Sequence, residues 1–384
     1  MTDRFALQDI SNGTAYNVPC NTSALQYCGG TWRGIIDHLD YIQGMGFDAI
    51  WISPPFFNVE GQTPMGAAYH GCVRGVVHRP DANVDRSLSR YWPQDLTKLN
   101  SHFGTAKDLK NLSDSLHARG MYLMVDVVVN HMVSSRPFNI TAVQLAINNS
   151  TMPVTNTTAL YPFTDLSDFH SVCWITDYSN QTEVEQCWLG NESMPWADVD
   201  TENPEVIGTL NSWVTNVIGD FGVDGLRLST VKFVPRDFWN TFTTQAGVFT
   251  LGEVCHTWSG SKATDVFDRC IQSTSIIPLP IPVSRRASIA DRERPIDIIK
   301  GVVNAVLDYP TWFELVPAFV STGSDFNALK HVVQQSQGAY TSGAFMTGSF
   351  LENHDQPRFS SLTSDPAVRA TLNPKPMCRL KCGI

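Results

Sequence analysis

The chain lacks three features that would each have indicated a class of protein. It has no run of about 18 uncharged apolar residues, so it holds no candidate membrane span and we expect no membrane partner. Basic residues are outnumbered, because 27 Lys and Arg stand against 37 Asp and Glu. The net charge of −10 gives no electrostatic basis for binding nucleic acid. No glycine-rich phosphate loop follows an expected strand, which argues against an open nucleotide-binding sheet.

The amino terminus also lacks a secretion signal. Met1 is followed directly by TDRFALQD, which has neither the charged nor the apolar segment of a signal peptide. The rest of the chain nevertheless suits the secretory route. Asn-x-Ser/Thr glycosylation acceptors are frequent, at Asn12, Asn21, Asn111, Asn139, Asn148, Asn149, Asn156, Asn180 and Asn191. We therefore expect a secreted glycoprotein whose signal is missing from this sequence.

The cysteines favour the same compartment. The chain has nine, an odd number that leaves one over. Cys20 with Cys28, and Cys173 with Cys187, lie in polar stretches at the short spacings typical of extracellular disulfides. We expect both pairs to be bonded.

The apolar residues are plentiful and follow a regular order. With 384 residues, 42% of them hydrophobic, the chain suits one large domain or two smaller ones. Short β-rich runs alternate with longer helical patterns, which is typical of parallel β/α units. The run MYLMVDVVV at 121–129 is the clearest strand, because it is apolar on both faces. Further strands are expected at 47–54 and, less clearly, at 301–310.

Polar residues follow several expected strands at their carboxyl ends. They form the strings DVVVNH at 126–131, GLRLST at 225–230, LGEV at 251–254 and FLENHDQPRF at 350–359. A β/α barrel gathers its active site from such residues, whereas an open doubly wound sheet binds ligands at a switch point. We therefore predict an α/β fold of the (β/α)8 TIM-barrel type, with five or six recognisable strands.

One connection is too long for an ordinary loop between a strand and a helix. It runs from His131 to about Glu202 and carries six of the glycosylation acceptors and one cysteine pair. We predict a small inserted domain at 131–202.

In this order, the four strings resemble the signature segments of the α-amylase family of glycoside hydrolases. The run CGGTWRGIIDHLDYIQGMGFDAIWISP at 28–54 resembles the fungal α-amylases of the Taka-amylase type in particular. The resemblance covers most of residues 2–71, 91–254 and 302–360. It implies a secreted, monomeric enzyme that cleaves α-1,4-glucans such as starch, glycogen and maltooligosaccharides.

The resemblance also assigns catalytic roles to the matching positions. Retaining glycosidases use two carboxyl groups about 5–5.5 Å apart, one as acid/base and one as nucleophile. Glu253 matches the general acid/base, and Asp355 matches a third carboxylate that supports the charged transition state. Ser229 stands where the family has the nucleophilic carboxylate. Arg227 matches the arginine that orients that carboxylate.

Seven positions match residues that line the sugar cleft or support it. They are Arg227, His131, His354, Asp126, Lys232, His70 and Tyr91. Tyr91 is expected to stack its ring on a glucose face. Asp126 has an alternative reading as a structural partner that braces Arg227 from within its strand.

The serine at position 229 is the departure with the largest consequence. A hydroxyl is a poor nucleophile unless a base activates it, and no histidine near it in the sequence replaces the carboxylate. We expect very weak or absent hydrolysis. Arg227 also loses its counter-charge, and we expect it to turn to water, Asp126 or Asp355 instead.

A calcium ion is the one cofactor that the resemblance implies. Its ligands would be the side chains of Asn130 and Asp198 and the backbone carbonyls of Glu185 and Phe233, with waters completing the shell of six to eight oxygens. Phe233 stands where the family usually has histidine, but any residue supplies a carbonyl. In the family this ion ties the inserted domain to the barrel.

Several segments match nothing in the family. We divide the chain into barrel residues 1–130, an inserted calcium-binding domain at 131–202, barrel residues 203–365 and a tail at 366–384. Two unmatched insertions interrupt the barrel, at 72–90 and 256–300. We expect an incomplete barrel in which the first strand is clipped and the eighth strand and the C-terminal β-sandwich are absent.

Three functions remain open at this stage. The first is an α-amylase-type hydrolase of compromised activity, or a related α-glucan transferase, since transferases share all four strings. The second is a non-catalytic protein that binds glucan in the same cleft. The third is a truncated product with no biochemical role.

Overall fold

Six short strands run parallel in one sheet at the centre of the computed structural model. The model describes residues 1–7, 20, 26–63, 66–68, 91–133, 160–178, 180–191, 194–254, 302–320, 326–339, 347–356, 358–363 and 365. His70 and the segments 72–90, 256–300 and 366–384 lie outside the described residues. The statements that follow concern the described residues.

The secondary structure alternates strands with helices over much of the chain. The helices are α1 (Thr2–Phe5), α2 (Trp32–Ile36), α3 (Leu39–Gly44), α4 (Ala106–His117), α5 (Gln181–Gln186), α6 (Pro204–Phe221), α7 (Arg236–Ala246), α8 (Tyr309–Val320) and α9 (Phe326–Ala339). The strands are β1 (Ala49–Ile52), β2 (Phe56–Asn58), β3 (Gly61–Thr63), β4 (Gly66–Ala68), β5 (Pro93–Leu99), β6 (Tyr122–Val127), β7 (His131–Val133), β8 (Leu189–Asn191), β9 (Met194–Asp198), β10 (Gly225–Leu228), β11 (Phe249–Gly252), β12 (Ala305–Leu307) and β13 (Thr347–Gly348).

The central sheet has the order β1-β6-β10-β11-β12-β13, and every neighbouring pair is parallel. The expected parallel sheet is therefore confirmed. The clearest expected strand, β6, lies one place in from the edge, where Leu123, Val125 and Val127 are fully buried. An apolar run suits this position because helices and neighbouring strands cover both faces of a parallel sheet.

Local contacts account for the structure near two ends of the sheet. The residues after Met1 form α1 rather than the end of a strand, because the Asp3 carboxylate accepts hydrogen bonds from the backbone N–H groups of Cys28 and Gly29 at 2.8 and 3.1 Å. The strand before FLENHD stops at Gly348. Beyond it, Phe350 turns to pack against the rings of Tyr309 and Trp312.

The helices begin and end where local chemistry predicts. At the start of α6, the Asn203 side chain accepts a hydrogen bond from the Glu205 N–H at 2.9 Å, and Pro204 follows at the first helical position. The helix ends at Gly222, whose φ of 63° lies in the left-handed region. These signals bring the chain directly into β10, the strand that carries Arg227.

The capping box of α4 offers a stability test away from the site. The Thr105 side chain accepts from the Asp108 N–H, and the Asp108 carboxylate accepts from the Thr105 N–H at 2.9 Å. Replacing Thr105 with alanine should lower the free energy of unfolding by about 1 kcal/mol, because an orphan helix donor loses its acceptor. Urea unfolding measures the loss. Lys107→Ala, at an exposed position of the same turn, is the control, and an equal effect of both variants would contradict the capping role.

A small antiparallel sheet follows β6 and lies outside the parallel one. Its strand order is β7-β9-β8. Cys173 and Cys187, just before β8, form a disulfide, and Cys20 and Cys28 form another. Both expected disulfides are therefore confirmed. The separate sheet supports our proposal of an inserted domain at 131–202. No helix among the described residues is both long and apolar enough to span a bilayer.

Candidate active site

Arg227, Ser229 and Glu253 lie at the carboxyl ends of neighbouring parallel strands, with Arg227 one layer below Ser229 and Glu253. In the register of the sheet, Arg227 on β10 lies beside Asp126 on β6. Ser229 and Glu253 follow β10 and β11, and their N–H groups donate to the Val127 and Leu228 carbonyls at 3.0 and 2.9 Å. The ladder bonding therefore continues past the strand ends and holds these side chains at one edge of the sheet.

Arg227 is the centre of a buried ionic network. Its Nη1 donates to Asp126 Oδ1 at 2.8 Å, and its Nη2 donates to Glu253 Oε2. Trp51 supports the same network, since its Nε1 donates to Asp126 Oδ2 at 3.2 Å and its ring lies 5.2 Å from the guanidinium carbon. The exposed fraction of all three charged side chains is 2% or less.

Burial sets the protonation of this network. Burial raises the pKa of Asp126 to about 6, although the Arg227 charge opposes the change. Burial alone would lower the pKa of Arg227. The negative charges of Asp126 and Glu253 outweigh this effect, so the pKa of Arg227 lies well above its ordinary value. Arg227 therefore stays a cation and holds two carboxylates.

The partners of Arg227 include one expected group and one that was not expected. Water, Asp126 or Asp355 were expected to replace the carboxylate missing at position 229. Asp126 does pair with Arg227, and Glu253, which follows the strand next to β10, is a second partner. The charge of Asp355 also contributes to the raised pKa of Arg227.

Glu253 has both carboxylate oxygens engaged. Oε2 accepts from Arg227, and Oε1 accepts from the Tyr309 hydroxyl at 3.1 Å. Asn353 Nδ2 donates to the same hydroxyl at 2.7 Å. Burial and the Glu253 charge raise the pKa of Tyr309 well above its ordinary value. The hydroxyl therefore stays protonated and donates a hydrogen bond to Glu253.

Sequence reasoning did not single out Tyr309, Asn353 or Trp51. A signal existed for each, because Tyr309 and Trp51 stand at or near the carboxyl ends of expected strands, and Asn353 lies inside the string FLENHDQPRF. Polar or aromatic residues at those positions are candidates for a barrel site.

Aromatic rings form one wall of the cleft. The ring centroids of Tyr91 and His354 lie 5.5 Å apart in a stacked pair, and Trp51 meets His354 edge-on at 5.4 Å. His354 Nε2 lies 3.2 Å from Asp355 Oδ2. A cavity of about 270 Å³ borders these rings and Asn353. The structure therefore places two expected sugar-cleft residues, Tyr91 and His354, together beside a space that a small ligand can enter.

Two further residues that were expected in the sugar cleft donate hydrogen bonds to backbone carbonyls of the protein. His131 is buried, and its Nε2 donates to the Tyr91 carbonyl at 3.0 Å. Burial lowers the pKa of His131 to about 4, which keeps the ring neutral at neutral pH. Lys232 donates from Nζ to the Tyr178 carbonyl at 3.1 Å. Contacts of either residue with sugar stay predictions, and His70 lies outside the described residues.

Two of the expected calcium ligands, Asn130 and Asp198, lie next to each other. The Val199 N–H donates to the Asn130 carbonyl at 2.9 Å, which brings Asn130 to the end of β9 beside Asp198. The Asn130 Oδ1 atom is buried and has no hydrogen-bond partner among the described residues. Burial raises the pKa of Asp198 to about 7, although a hydrogen bond to His170 opposes the change. A buried amide oxygen without a partner, next to a buried carboxylate, fits a cation with oxygen ligands.

The two expected carbonyl ligands come from elements that contact each other. Helix α5, which contains Glu185, packs against the turn Val231–Phe233. Gln181 Nε2 donates to the Lys232 carbonyl at 2.9 Å across this contact. A second group of possible ligands, His170, Asp200 and Glu202, has its ligand atoms within 4.8 Å of one another and adjoins Asp198.

Comparison of the chain with known proteins identifies one family. The family model for the α-amylase catalytic domain matches residues 1–263. The chain belongs to the α-amylase family. Its α-amylase relatives include mde5 of Schizosaccharomyces pombe, 42% identical over 96% of this chain and 57% of that protein. Alpha-amylase 1 of Lipomyces kononenkoae is 38% identical over 96% of this chain and 47% of that protein.

A solved α-amylase confirms the fold. The structure of an α-amylase from Malbranchea cinnamomea superposes with a TM-score of 0.71 at 33% identity, covering 97% of this chain and 63% of that one. The expected barrel class is therefore confirmed. The chain spans roughly half the length of the α-amylases it matches, between 47% and 57% for the two named above.

Proposed function

We propose that this chain is an α-amylase-type retaining hydrolase of α-1,4-glucans whose turnover is severely reduced because Ser229 occupies the nucleophile position. One observation carries the proposal: Ser229 and Glu253 are neighbours just past the ends of adjacent parallel strands, one layer above Arg227, and a hydroxyl stands where a carboxylate is needed. Membership of the α-amylase family supports the substrate class.

The roles we propose follow from position and chemistry. Tyr91, Trp51 and His354 present ring faces and edges on which a glucose unit can pack. Glu253 is the acid/base group, and Asp355 supports the positive charge that develops at the anomeric carbon. Arg227 and Tyr309 hold Glu253 in place. Asp126 acts through Arg227, whose position it fixes.

Two obstacles reduce turnover in this arrangement. Ser229 has no charge at neutral pH and no adjacent histidine base, so it forms a glycosyl bond poorly. Glu253 must donate a proton to the leaving oxygen, but both its oxygens accept hydrogen bonds from Arg227 and Tyr309. The acid is thus constrained as well, because Arg227 and Tyr309 occupy both of its oxygens.

Calorimetry with maltoheptaose, beside a reducing-sugar assay on starch, tests the proposal. We expect binding of the oligosaccharide together with barely detectable release of sugar. Tyr91→Ala should weaken the binding, and Tyr41→Ala, at an exposed aromatic residue outside the cleft, should not. Vigorous starch digestion by the unmodified chain, or no affinity for maltoheptaose, would refute the proposal. Product analysis by chromatography separates hydrolysis from transfer to a sugar acceptor.

A second candidate is a glucan-binding protein with no turnover at all. The engagement of both Glu253 oxygens favours it, because the acid is then as poorly placed as the nucleophile. The two candidates differ in the assay, since complete absence of hydrolysis over days, with binding intact, supports the second.

We also propose that calcium binds through Asn130, Asp198 and the carbonyls of Glu185 and Phe233, and that its role is to hold the inserted region against the sheet. The unpartnered Asn130 oxygen and the buried Asp198 carboxylate support this choice. The neighbouring group of His170, Asp200 and Glu202 is the alternative location.

Thermal unfolding with added calcium distinguishes the two locations. Calcium at about 100 times its dissociation constant should stabilise the folded chain by about 2.7 kcal/mol. Asp198→Asn should abolish the stabilisation, because it removes a ligand charge, while Asp200→Asn should leave most of it. The reverse ranking would move the site to the His170 group, and equal stabilisation by magnesium would argue against a calcium site.

Secretion is part of the same proposal. The two disulfides suit an oxidising compartment, and both lie in the region that matches the α-amylase catalytic domain. We expect an α-glucan as the partner and a monomer in solution, which gel filtration with light scattering tests.

A further inference from the structure

The glycosylation acceptors of the sequence lie in different surroundings in the structure. Asn111, Asn180 and Asn191 are the acceptor asparagines among the described residues. The third residue of the Asn191 acceptor, Ser193, lies outside them. A glycan is bulky and strongly hydrated, so a folded protein carries it on an exposed side chain. The structure therefore allows a direct comparison between Asn111 and Asn180.

Asn180 presents its side-chain amide to solvent. The residue is exposed just before α5, and its Oδ1 accepts a hydrogen bond from the Glu183 N–H at 3.4 Å. Its Nδ2, the atom to which an N-linked glycan is attached, has no hydrogen-bond partner among the described residues. Attachment through Nδ2 leaves Oδ1 free to cap α5, so the modification does not disturb the local fold.

The remainder of this acceptor is open as well. Thr182 is exposed, so the hydroxyl that completes the acceptor can be reached from solvent. Between the two, Gln181 turns its side-chain amide to Glu185 Oε1 and to the Lys232 carbonyl, at 2.6 and 2.9 Å. These contacts anchor the segment to the protein, while Asn180 and Thr182 stay on its solvent side.

Asn111 is closed in comparison. It lies in the middle of α4 and is partly buried, and the next residue, Leu112, is fully buried. The hydroxyl of its acceptor belongs to Ser113, which is 0% exposed and donates to the Gly222 carbonyl at 2.8 Å. Helix α4 packs against α2, α6 and β6, and a glycan on this side chain would open that packing.

We propose that Asn180 carries an N-linked oligosaccharide and that Asn111 stays unmodified in the folded chain. The inference rests on the secretion that forms part of the proposed function, because the glycan donor belongs to the secretory route. That donor is an oligosaccharide carried on a lipid diphosphate.

The transfer is a substitution at the first sugar of the donor. Asn180 Nδ2 forms a bond to the anomeric carbon as the bond from that carbon to the diphosphate oxygen breaks. The electron pair of the broken bond leaves on the lipid diphosphate. The nitrogen releases one of its two protons to the oligosaccharyl transferase and keeps the other.

Peptide mapping of the secreted full chain tests the proposal. The chain is expressed in a fungal host behind an added signal peptide, so its entry into the secretory route is fixed by the experiment. After reduction, chymotrypsin cuts after Tyr178 and Trp188 and gives the peptide 179–188, in which Asn180 is the sole acceptor. Glycan release by an amidase in heavy-oxygen water then marks each modified asparagine as a labelled aspartate.

Trypsin isolates the other acceptor in the same sample. It cuts after Lys110 and Arg119 and gives the peptide 111–119, which contains Asn111 alone. Only the gel-filtration fraction that resists proteolysis is mapped for this site, because the expectation concerns folded molecules. We expect the label in most copies of peptide 179–188 and in none of peptide 111–119.

Two substitutions at Thr182 show whether the acceptor is the cause. Thr182→Ala removes the hydroxyl but keeps Asn180, and it should abolish the label. Thr182→Ser keeps a hydroxyl and should retain the label. An unlabelled Asn180 in the secreted chain, or a label that survives Thr182→Ala, overturns the proposal. A label at Asn111 in the folded fraction overturns its second part.

The glycan and the proposed function fail separately. Thr182 does not border the cavity beside Tyr91 and His354, so Thr182→Ala should bind maltoheptaose as the unsubstituted chain does. Maltoheptaose binding by a chain without a label at Asn180 keeps the proposed function and rejects the glycan site. A labelled chain without affinity for maltoheptaose keeps the glycan site and rejects the proposed function.

Discussion

Ser229→Asp should raise the rate of maltooligosaccharide hydrolysis by at least about three orders of magnitude, equivalent to about 4 kcal/mol of transition-state stabilisation. The new carboxylate supplies the missing nucleophile two residues from Arg227. It also competes with Glu253 for the guanidinium, which frees an oxygen of the acid to face the leaving group. Both obstacles to turnover are thus relieved by one substitution. The rate of reducing-sugar release from maltoheptaose at neutral pH measures the effect.

The matched control is Ser229→Asn. Asparagine has nearly the size of aspartate but no charge, so it fills the same space without forming a nucleophile. It should remain as slow as the unmodified chain. Near-equal rates for the serine and aspartate proteins would show that the low activity has another origin, such as an incomplete cleft. A large gain with asparagine would show that the space, rather than the charge, limits turnover.

Much of the scaffold follows from sequence because its causes are local. The apolar run around Leu123 and Val125 predicts a strand buried on both faces, and that strand is β6. Helix boundaries also have local causes, such as Asn203 and Gly222 at the two ends of α6. The neighbouring positions of Ser229 and Glu253, one layer above Arg227, follow in turn, since parallel strands align their carboxyl ends.

The partners inside the site do not follow in the same way. Arg227 can reach carboxylates on several strands, and the choice depends on distances that sequence order does not give. The sequence indicated Asp126 or Asp355, but it did not indicate Glu253, which follows the strand adjacent to β10 and pairs with Arg227. The same reason hid Tyr309, whose hydroxyl reaches Glu253 across 56 residues of sequence.

Burial and charge explain why Arg227 pairs with two carboxylates. A buried arginine without a counter-charge is strongly destabilising, and Asp126 and Glu253 supply that charge. We propose Glu253 as the group that transfers the proton, so the same side chain also serves as a structural partner of Arg227. Glu253 is thus both the proposed acid and a counter-charge of Arg227, whereas Asp126 is a counter-charge alone. The two partners of Arg227 can therefore be distinguished by experiment.

Asp126→Ala should lower the free energy of unfolding by about 3–5 kcal/mol, because it removes one partner of a buried ion pair and leaves Arg227 undercompensated. Trp51 Nε1 loses its acceptor in the same variant. Urea unfolding at pH 7 measures the change. The matched control is Asp40→Ala, which removes an ion pair of the same 2.8 Å separation with Arg119 at the surface and should have little measurable effect. If both variants unfold alike, Glu253 alone satisfies Arg227, and Asp126 has a role in the cleft rather than in the scaffold.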